Sequence, residues 1–329
     1  MPEPPRNQQT RICVDPWQYV EVAPSGGVLP CCNYRPIGEL SDDMQSLSDV
    51  IALESFEALR ASLLAGDLSL TCQKCHIRKM GPVDALKTAL AENGHARGGH
   101  GPDLTRVPTE IRVDLTTRCN LRCNYCAVSA PGYQGFDMEE VHFERLLRLL
   151  KAVPREAAIH LNGHGETTYH PEWMKAANAV IGAGHRPHMI TNLARTYSDE
   201  EFACLAHFGV LQISLDSLDE ALMKRIRKPV RVRLVIENML RVSAAASTEG
   251  IPPPRLYFST GLYDPAIWTL ENFATIAVQL GVSNMTFWNL VRYPHQTLVR
   301  PISEFSAEES AEARKILART RAILDAGGV

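Results

Sequence analysis

The sequence has little of what marks a membrane or nucleic-acid-binding protein. No hydrophobic run is long enough to span a bilayer. The first ten residues are polar and rich in proline, which does not fit a secretory signal peptide. There are 34 basic against 37 acidic residues, a net charge of −3, and no basic run stands out. These absences predict a cytoplasmic protein with no membrane or nucleic-acid partner.

Cysteine, in contrast, is plentiful. Nine cysteines occur among the 329 residues. In a chain without a secretory signal they favour metal ligation in a reducing compartment over disulfide bonds. The length and the 45% hydrophobic composition are sufficient for one large barrel and a small second domain.

The most informative motif is a CxxxCxxC loop. Cys119, Cys123 and Cys126 follow directly on a strand-like segment at 110–115. Three thiolates on one loop can bind three irons of a [4Fe–4S] cluster and leave the fourth iron without a protein ligand. The open iron could then bind a small molecule, as an open zinc position does. A zinc site or three unrelated buried thiols are the alternatives, but zinc usually requires paired CxxC elements.

This loop resembles the cluster loop of the radical SAM superfamily, in which a CxxxCxΦC motif follows the first strand of a partial (β/α) barrel. Tyr125 takes the place of Φ, and the resemblance covers about residues 108–300. It implies that the open iron binds the amino and carboxylate groups of S-adenosylmethionine (SAM). It also implies that an electron from the cluster cleaves SAM to a 5′-deoxyadenosyl radical.

Strand-like and helical segments alternate through this region, which predicts parallel βα units. The predicted strands lie at about 110–115, 157–161, 187–191, 210–215, 255–261 and 284–290. Six such units fit the partial barrel, whose active site forms at the carboxyl ends of the strands. Ser198 and Ser306 each begin a Ser-x-x-Glu capping box that predicts a helix start.

The predicted fold class is α/β, a partial (β/α)6 TIM-like barrel with a small N-terminal iron–sulfur domain. We predict an auxiliary-cluster domain at 1–92, a Gly-rich linker at 93–107 and the barrel at 108–329. Within the first domain, Ser25-Gly-Gly27 predicts a hairpin turn. A helical pattern extends from Ser48 to Leu64, with Ser48 as its N-cap.

The segment that follows the second barrel strand, Asn-Gly-His-Gly-Glu at 162–166, is similar to the Gly-Gly-Glu motif of the family. Its first glycine corresponds to Gly163 and its second to His164 or Gly165. The resemblance implies that Gly165 and Glu166 meet the ammonium group of SAM. An ordinary glycine-rich turn after a strand is the alternative.

Four further positions are similar to family residues near SAM. Asn192 ends the third strand where many members have Thr-Asn-Gly, so it would bind ribose or substrate, or only cap the turn. Ser214 belongs to a Ser-Leu-Asp strand, and the resemblance places it at the SAM carboxylate or ribose. Asp216 of that strand binds SAM or caps the next helix. Tyr125 would lie beside adenine or pack on the barrel.

The sixth strand supplies the candidate substrate residues. It ends with Trp288, Asn289 and Arg292, which could face the substrate. A tryptophan on a barrel strand also commonly serves packing alone.

A second cysteine set lies in the first ninety residues: Cys13, Cys31, Cys32, Cys72 and Cys75. A CxxC with an upstream pair is compatible with a zinc ribbon. The flanks, with Gly-Val-Leu-Pro-Cys-Cys ahead of the closing CxxC, look like a SPASM or twitch-type module. The resemblance implies an auxiliary [4Fe–4S] cluster on Cys13, Cys31, Cys72 and Cys75, with Cys32 as a substitute for Cys31. The family usually places this module after the barrel, whereas here it comes first.

Two clusters lead to an expected reaction. A closed auxiliary cluster can accept one electron, so hydrogen abstraction followed by loss of a hydroxyl proton ends as dehydrogenation. This is the logic of the cyclitol dehydrogenases in aminoglycoside pathways. The expected substrate is a sugar, aminoglycoside or cyclitol-type intermediate of antibiotic biosynthesis. The expected partner is a one-electron donor such as flavodoxin or ferredoxin.

Three alternatives stay open. A radical SAM sugar epimerase needs a cysteine that returns a hydrogen atom, and only Cys204, on a predicted outer helix, and the spare Cys32 are available. A peptide-modifying radical SAM enzyme is disfavoured because no leader-peptide-binding domain is evident. A non-catalytic iron–sulfur or zinc protein would bind no SAM.

Overall fold

The computed structural model describes residues 9–94 and 108–329. Its strands are β1 (Gln9–Arg11), β2 (Tyr19–Val22), β3 (Gly27–Leu29), β4 (Gly38–Glu39), β5 (Met80–Pro82), β6 (Glu110–Val113), β7 (Arg122–Cys123), β8 (Ala158–Leu161), β9 (His188–Thr191), β10 (Val210–Ser214), β11 (Arg227–Lys228), β12 (Arg255–Asp264), β13 (Asn284–Asn289) and β14 (Arg300–Pro301). The predicted linker at 93–107 lies almost wholly outside the described residues.

The helices alternate with these strands. They are α1 (Asp15–Gln18), α2 (Leu47–Ile51), α3 (Glu54–Ala65), α4 (Leu70–Gln73), α5 (Val83–Glu92), α6 (Glu140–Lys151), α7 (Trp173–Gly182), α8 (Asp199–Ala206), α9 (Glu220–Ile226), α10 (Val232–Glu249), α11 (Leu270–Gln279) and α12 (Ala307–Gly327). Short 3₁₀ helices occur at Ala127–Ser129, Thr167–Tyr169, Ala266–Thr269 and Ile302–Glu304. None of the described helices is long and apolar enough to cross a membrane.

The first of two compact units contains the described part of Met1–Leu115 together with Met138–His160 and Gly182–His185. Its main sheet has the order β4–β3–β2–β6–β8. β2 pairs in parallel with β6 and antiparallel with β3. The strand that follows Cys13 therefore lies directly beside the strand that leads to the CxxxCxxC loop. The domain boundaries at 92 and 108 stay a prediction.

The hairpin between β2 and β3 confirms the turn predicted at Ser25-Gly-Gly27. Gly26 has φ +77°, in the left-handed region that favours glycine. A Cβ on Gly26 would lie 2.2 Å from Nδ1 of His142 on α6. Glycine is therefore required here both by its backbone conformation and by the helix packed against the turn.

The helical prediction at 48–64 is only partly right. Two helices are present, and Ser46, not Ser48, caps the first in a capping box with Asp49. The second helix, α3, packs its apolar side against Trp17 and α5 in a core formed by Trp17, Leu59, Leu63, Leu86 and Leu90. The Ser-x-x-Asp spacing at 46–49 was the available signal, because an acidic N3 residue completes the box.

The second unit contains Thr116–Asp137, Leu161–Ile181 and Arg186–Val329. Its strands β9, β10, β12 and β13 are parallel neighbours in that order, and β14 adds antiparallel to β12. All six predicted barrel strands are present among the described residues. The capping boxes predicted at Ser198 and Ser306 are confirmed at the starts of α8 and α12.

Replacing Gly26 by Ala tests the hairpin. Left-handed strain should destabilise the protein by about 1–3 kcal/mol, and overlap with the His142 ring should add to this loss. Gly132→Ala is the matched control, since Gly132 has φ +78° and open space around it. Thermal unfolding followed by circular dichroism should show the larger loss for Gly26→Ala. Equal losses would show that the His142 contact has no effect.

Candidate functional site

The three cysteines of the CxxxCxxC loop lie close together in the second unit. Cys123 is buried, and the thiols of Cys119 and Cys126 are near enough to affect its pKa. Burial raises the pKa of Cys119 and of Cys123 to about 12, so both thiols keep their protons until a metal displaces them. The Leu121 amide and the Asn192 side chain donate to Cys119 Sγ at 3.4 and 3.6 Å. Three soft thiols with N–H donors to sulfur fit an iron–sulfur cluster.

The glycine-rich turn after β8 lies against the backbone of this loop. The amide of Gly165 donates to Thr116 O at 3.2 Å, and that of Glu166 to Arg118 O at 2.9 Å. A Cβ on Gly165 would lie 2.3 Å from Arg118 O, so only glycine fits. The structure thus gives Gly165 a role in supporting the cysteine loop, while its predicted contact with SAM stays a prediction. Gly163 is half-buried in the same turn.

Glu166 joins the ends of the second and third barrel strands. Its Oε1 accepts from Thr191 Oγ1 at 2.7 Å and from Thr168 Oγ1 at 2.9 Å. Its Oε2 accepts from the Asn192 amide at 2.7 Å, and the Asn192 side chain donates to Asn120 Oδ1 at 2.8 Å. This buried carboxylate therefore positions Asn192 against the cysteine loop. Its predicted role toward the SAM ammonium stays a prediction.

Leu193 replaces the glycine of the Thr-Asn-Gly motif and keeps a glycine-like backbone, with φ +50°. Such a conformation costs of order 1–3 kcal/mol for a non-glycine residue. It is held because Leu193 is fully buried, its amide donates to Thr191 Oγ1, and its carbonyl accepts from Asn238. The Asn192 side chain also caps the turn by accepting from the Ala194 amide at 2.8 Å.

Asp216 is fully buried at the centre of a hydrogen-bond network. Its Oδ2 accepts from the hydroxyls of Tyr125 and Tyr263, both at 2.7 Å, and from Arg227 Nε at 2.8 Å. Its Oδ1 accepts from the Gly261 amide at 2.9 Å. Burial alone would raise the pKa of Asp216, but the Arg227 charge and these hydrogen bonds hold it below its usual value.

The predicted capping role for Asp216 is wrong. The cap of the following helix, α9, is Asp219, whose side chain accepts from the Leu222 amide at 3.0 Å. Asp216 instead fixes Tyr125 on the cysteine loop. Ser214, on the same strand, is half-buried, and its predicted contact with SAM stays a prediction.

The remaining candidates on the barrel differ in environment. The Tyr125 ring lies 5.3 Å, centroid to centroid, from both Tyr263 and Trp288. Trp288 is thus part of the packing around Tyr125. Asn289 is exposed at the end of β13, while Arg292 is held by Glu304 through an Nε–Oε1 bond of 3.0 Å. Roles of Trp288, Asn289 and Arg292 in substrate binding stay predictions.

The N-terminal cysteines converge in the first unit. One cavity is lined by all five: Cys13, Cys31, Cys32, Cys72 and Cys75. Arg11 holds the closing CxxC segment, since its guanidinium donates to Cys72 O at 2.6 Å and to Arg78 O at 2.8 Å. Among the described residues no three His, Cys, Asp or Glu side chains are grouped to hold one metal ion, whereas a [4Fe–4S] cluster distributes its thiolates over separate irons. The donor set fits such a cluster.

The adjacent cysteines Cys31 and Cys32 differ in their surroundings. Cys31 is half-buried, and burial raises its pKa to about 11. It lies near enough to Cys13 to affect the pKa of that thiol. Cys32 is more exposed; partial burial raises the pKa of its thiol, the nearby charge of Arg112 lowers it, and that of Glu21 raises it. This arrangement favours Cys31 as the ligand and leaves Cys32 as the fifth cysteine.

Sequence reasoning missed a polar cluster beside Cys32. The Tyr19 hydroxyl donates to Glu21 Oε2 at 2.6 Å, and Arg112 Nη1 lies 4.0 Å from the same oxygen. Glu21 and Arg112 are direct neighbours across the β2–β6 pair, and Glu21 is only 3% exposed. The signal was present, because charged residues at 110, 112 and 114 alternate with apolar ones in a strand of a barrel.

Cys204 lies on α8, as predicted. It is buried, and its thiol donates to Asn178 Oδ1 on α7 at 3.7 Å. It therefore packs between two helices of the second unit.

Two family models match the chain, and together they cover more than half of it. The model of the radical SAM superfamily matches residues 113–275, and the model of the SPASM iron–sulfur cluster-binding domain matches residues 13–76. The chain belongs to the radical SAM superfamily and carries its SPASM domain ahead of the radical SAM domain. The radical SAM domain implies a [4Fe–4S] cluster and SAM, and the SPASM domain implies an auxiliary iron–sulfur cluster. Radical SAM enzymes act on small molecules with the help of a reductant.

Curated relatives cover only part of the chain. A GTP 3′,8-cyclase of Mycobacterium sp. (strain KMS) is 31% identical over 156 residues, which is 46% of this chain and 43% of the relative. The tungsten-containing aldehyde ferredoxin oxidoreductase cofactor-modifying protein of Pyrococcus furiosus is 25% identical over 183 residues, 55% of this chain and 51% of the relative. The chain thus spans about half the length of the curated relatives it matches.

Among solved structures, Streptococcus suis SuiB bound to S-adenosylmethionine is similar to this chain, with a TM-score of 0.51 and 14% identity. The similarity covers 91% of this chain and 68% of SuiB. It confirms the predicted fold class, an α/β partial barrel with a small N-terminal iron–sulfur domain.

Metal counts test the two cysteine centres. Anaerobically reconstituted protein should hold about eight irons, two four-iron clusters per chain. Changing both Cys72 and Cys75 to Ala, or both Cys119 and Cys123, should leave about four irons in each case. Cys204→Ala is the control and should retain all iron. Stoichiometric zinc beside a single four-iron cluster would contradict the assignment of the N-terminal set.

Asp216→Asn tests the buried network. It leaves Arg227 buried without its counter-charge, which should cost roughly 3–5 kcal/mol of stability. Because the pKa of Asp216 is lowered in the folded state, its contribution is present at neutral pH and is lost as the pH falls through that lowered pKa. Glu237→Gln, at an exposed pair with Arg233, is the control and should barely move the melting temperature. Equal effects of the two variants in thermal unfolding would contradict this account.

Proposed function

We propose that the protein is a radical SAM dehydrogenase that oxidises a secondary carbinol of a sugar, aminoglycoside or cyclitol-type intermediate. The observation that carries the proposal is the convergence of Cys13, Cys31, Cys72 and Cys75, with a fifth cysteine, on one cavity. A cluster held by four thiolates has no open iron for substrate, so its role is electron transfer. The enzyme would therefore use it as the electron acceptor.

When bound, SAM and its cluster would supply a 5′-deoxyadenosyl radical that removes the carbinol hydrogen atom, and the auxiliary cluster would supply a site that accepts one electron. The hydroxyl proton must leave as well, so that a carbonyl group forms. Glu21 is suited to accept this proton. Its Oε2 already accepts from the Tyr19 hydroxyl, so we assign its other oxygen, Oε1, to the substrate hydroxyl. Arg112 Nη1 lies 4.0 Å from Oε2 of the same carboxylate.

A hydroxyl-bearing substrate is supported by two independent facts. The β2–β6 face beside Cys32 presents the donors and acceptors of Tyr19, Glu21 and Arg112, in place of the apolar surface a hydrophobic substrate would require. The mycobacterial relatives are named GTP 3′,8-cyclases, and GTP contains a sugar. A flavodoxin or ferredoxin would supply the electron that starts the reaction.

Epimerisation is the second candidate, and Cys32 favours it. Cys32 is exposed, lines the auxiliary cavity, and lies beside the polar cluster that we assign to the substrate. A thiol in that position could return a hydrogen atom to the substrate carbon. Cys204 is the weaker donor candidate because it is packed against Asn178.

The two reactions differ in their products. With dithionite as reductant and a panel of aminocyclitols and sugars in D₂O, we expect 5′-deoxyadenosine and a product two mass units lighter, free of carbon-bound deuterium. Glu21→Gln should keep SAM cleavage while slowing product formation by about 10²-fold or more. Liquid chromatography with mass spectrometry measures both.

Glu39→Gln is the control, since Glu39 is an exposed carboxylate on β4; it should behave like the wild type. A product of unchanged mass that carries one deuterium, and is lost in Cys32→Ala, would establish the epimerase instead. Equal product rates for Glu21→Gln and the wild type would remove Glu21 as the base.

A further inference from the structure

A concave basic surface borders the CxxxCxxC loop in the second unit. Cys123 and Asn124 form part of its wall. The basic patch is defined by the other charged or titratable side chains that line this concavity: Arg122, Arg225, Lys228 and His295. A cysteine that we assign to the SAM-binding cluster therefore lies in the wall of a cationic concavity.

The cations of the basic patch have no carboxylate partner among the described residues. Arg122, Arg225 and Lys228 are exposed, and none of them pairs with a carboxylate of residues 9–94 or 108–329. Their neighbours behave differently, since Lys224 pairs with Glu220 and Arg227 pairs with Asp216. The positive charge of the patch is thus available to an external anion.

The backbone places two of these cations opposite each other. β7 and β11 pair antiparallel, with Arg122 in register with Lys228 and Cys123 in register with Arg227. Like charges directly opposite on paired strands are destabilising. The same pairing, with the Asn124 amide donating to Ile226 O at 2.8 Å, fixes the patch relative to Cys123. An unfavourable charge pair held rigidly beside a cluster ligand points to an anionic partner.

The chemistry of the site indicates what kind of anion this is. A cluster on Cys119, Cys123 and Cys126 must receive an electron from outside, and the carrier must approach the surface nearest to a ligand. The whole chain has a net charge of −3, so long-range attraction would not bring in an acidic carrier. A local cationic patch does so, and it also orients the carrier.

We propose that the basic patch docks an acidic one-electron carrier protein with its reduced flavin or iron–sulfur group facing Cys123. One electron leaves the reduced carrier and enters the cluster, and no bond is made or broken in this step. The inference rests on the proposed function, because only a cluster at Cys123 needs this electron. His295, whose Nε2 lies 3.0 Å from Cys126 O, ties the rim of the patch to the loop.

A charge-reversed double variant, Arg225→Glu with Lys228→Glu, tests the docking surface. The reconstituted enzyme is titrated with an oxidised flavodoxin by calorimetry, and reduction of its cluster by flavodoxin hydroquinone is followed by stopped-flow absorbance. We expect binding to weaken and reduction to slow by about tenfold or more, with most of the salt dependence lost. Reduction by dithionite, a small ion, should remain within about twofold.

Arg314→Glu with Arg321→Glu on α12 is the matched control, because it changes the net charge equally at exposed positions. It should leave flavodoxin binding close to that of the wild type. If the charge-reversed variant does not load iron, Arg225→Gln with Lys228→Gln replaces it, and a several-fold loss is expected.

Wild-type affinity in the patch variant, or an equal loss in the control, would overturn the docking proposal. Failure of the proposed function would appear differently, as a wild-type enzyme that gives no oxidised product with dithionite as reductant. The calorimetric result would still decide on the docking surface in that case.

Discussion

The cysteine loop depends on one buried ion pair. Asp216 and Arg227 are both nearly inaccessible to solvent, and such a pair is stable only when its remaining hydrogen-bonding capacity is satisfied. Here Tyr125, Tyr263 and the Gly261 amide satisfy it. Because Tyr125 immediately precedes Cys126 and Arg227 is paired with Cys123, the same network that satisfies Asp216 also fixes two cysteines. The cysteine loop is thus held in place by the interior of the barrel.

The two cysteine centres are built by different means, and this difference agrees with their proposed roles. The CxxxCxxC loop has three thiols and is held from several strand ends, by Glu166 through Asn192 and by Asp216 through Tyr125. A cluster on three thiols would leave one iron open for SAM. In the N-terminal set, a hairpin and a closing CxxC bring five cysteines to one cavity. Four of them are sufficient to ligate every iron of a cluster, and the fifth, Cys32, lies near Glu21 and Arg112. One electron would be consumed at the first centre in the cleavage of SAM, and a different electron, released by the substrate, would pass to the second.

Local sequence patterns predicted the parts of this structure that local forces determine. The cysteine spacing, the six strands and the capping boxes at Ser198 and Ser306 all depend on residues close in sequence. The role of Asp216 could not be predicted in this way, since its partner Tyr125 is 91 residues distant. The same applies to Gly165, because glycine is required there by the Arg118 carbonyl packed against it. It also applies to the Glu21–Arg112 pair, which forms only because β2 pairs with the barrel strand β6.

The central claim is that the cluster on Cys119, Cys123 and Cys126 has an iron open to SAM. Electron paramagnetic resonance of the reduced Cys72→Ala/Cys75→Ala enzyme observes this cluster without the auxiliary one. Adding SAM should shift its g-values, and SAM carrying ¹⁵N in its amino group should give a nitrogen coupling in electron–nuclear double resonance. An unchanged spectrum without nitrogen coupling at saturating SAM would contradict the account.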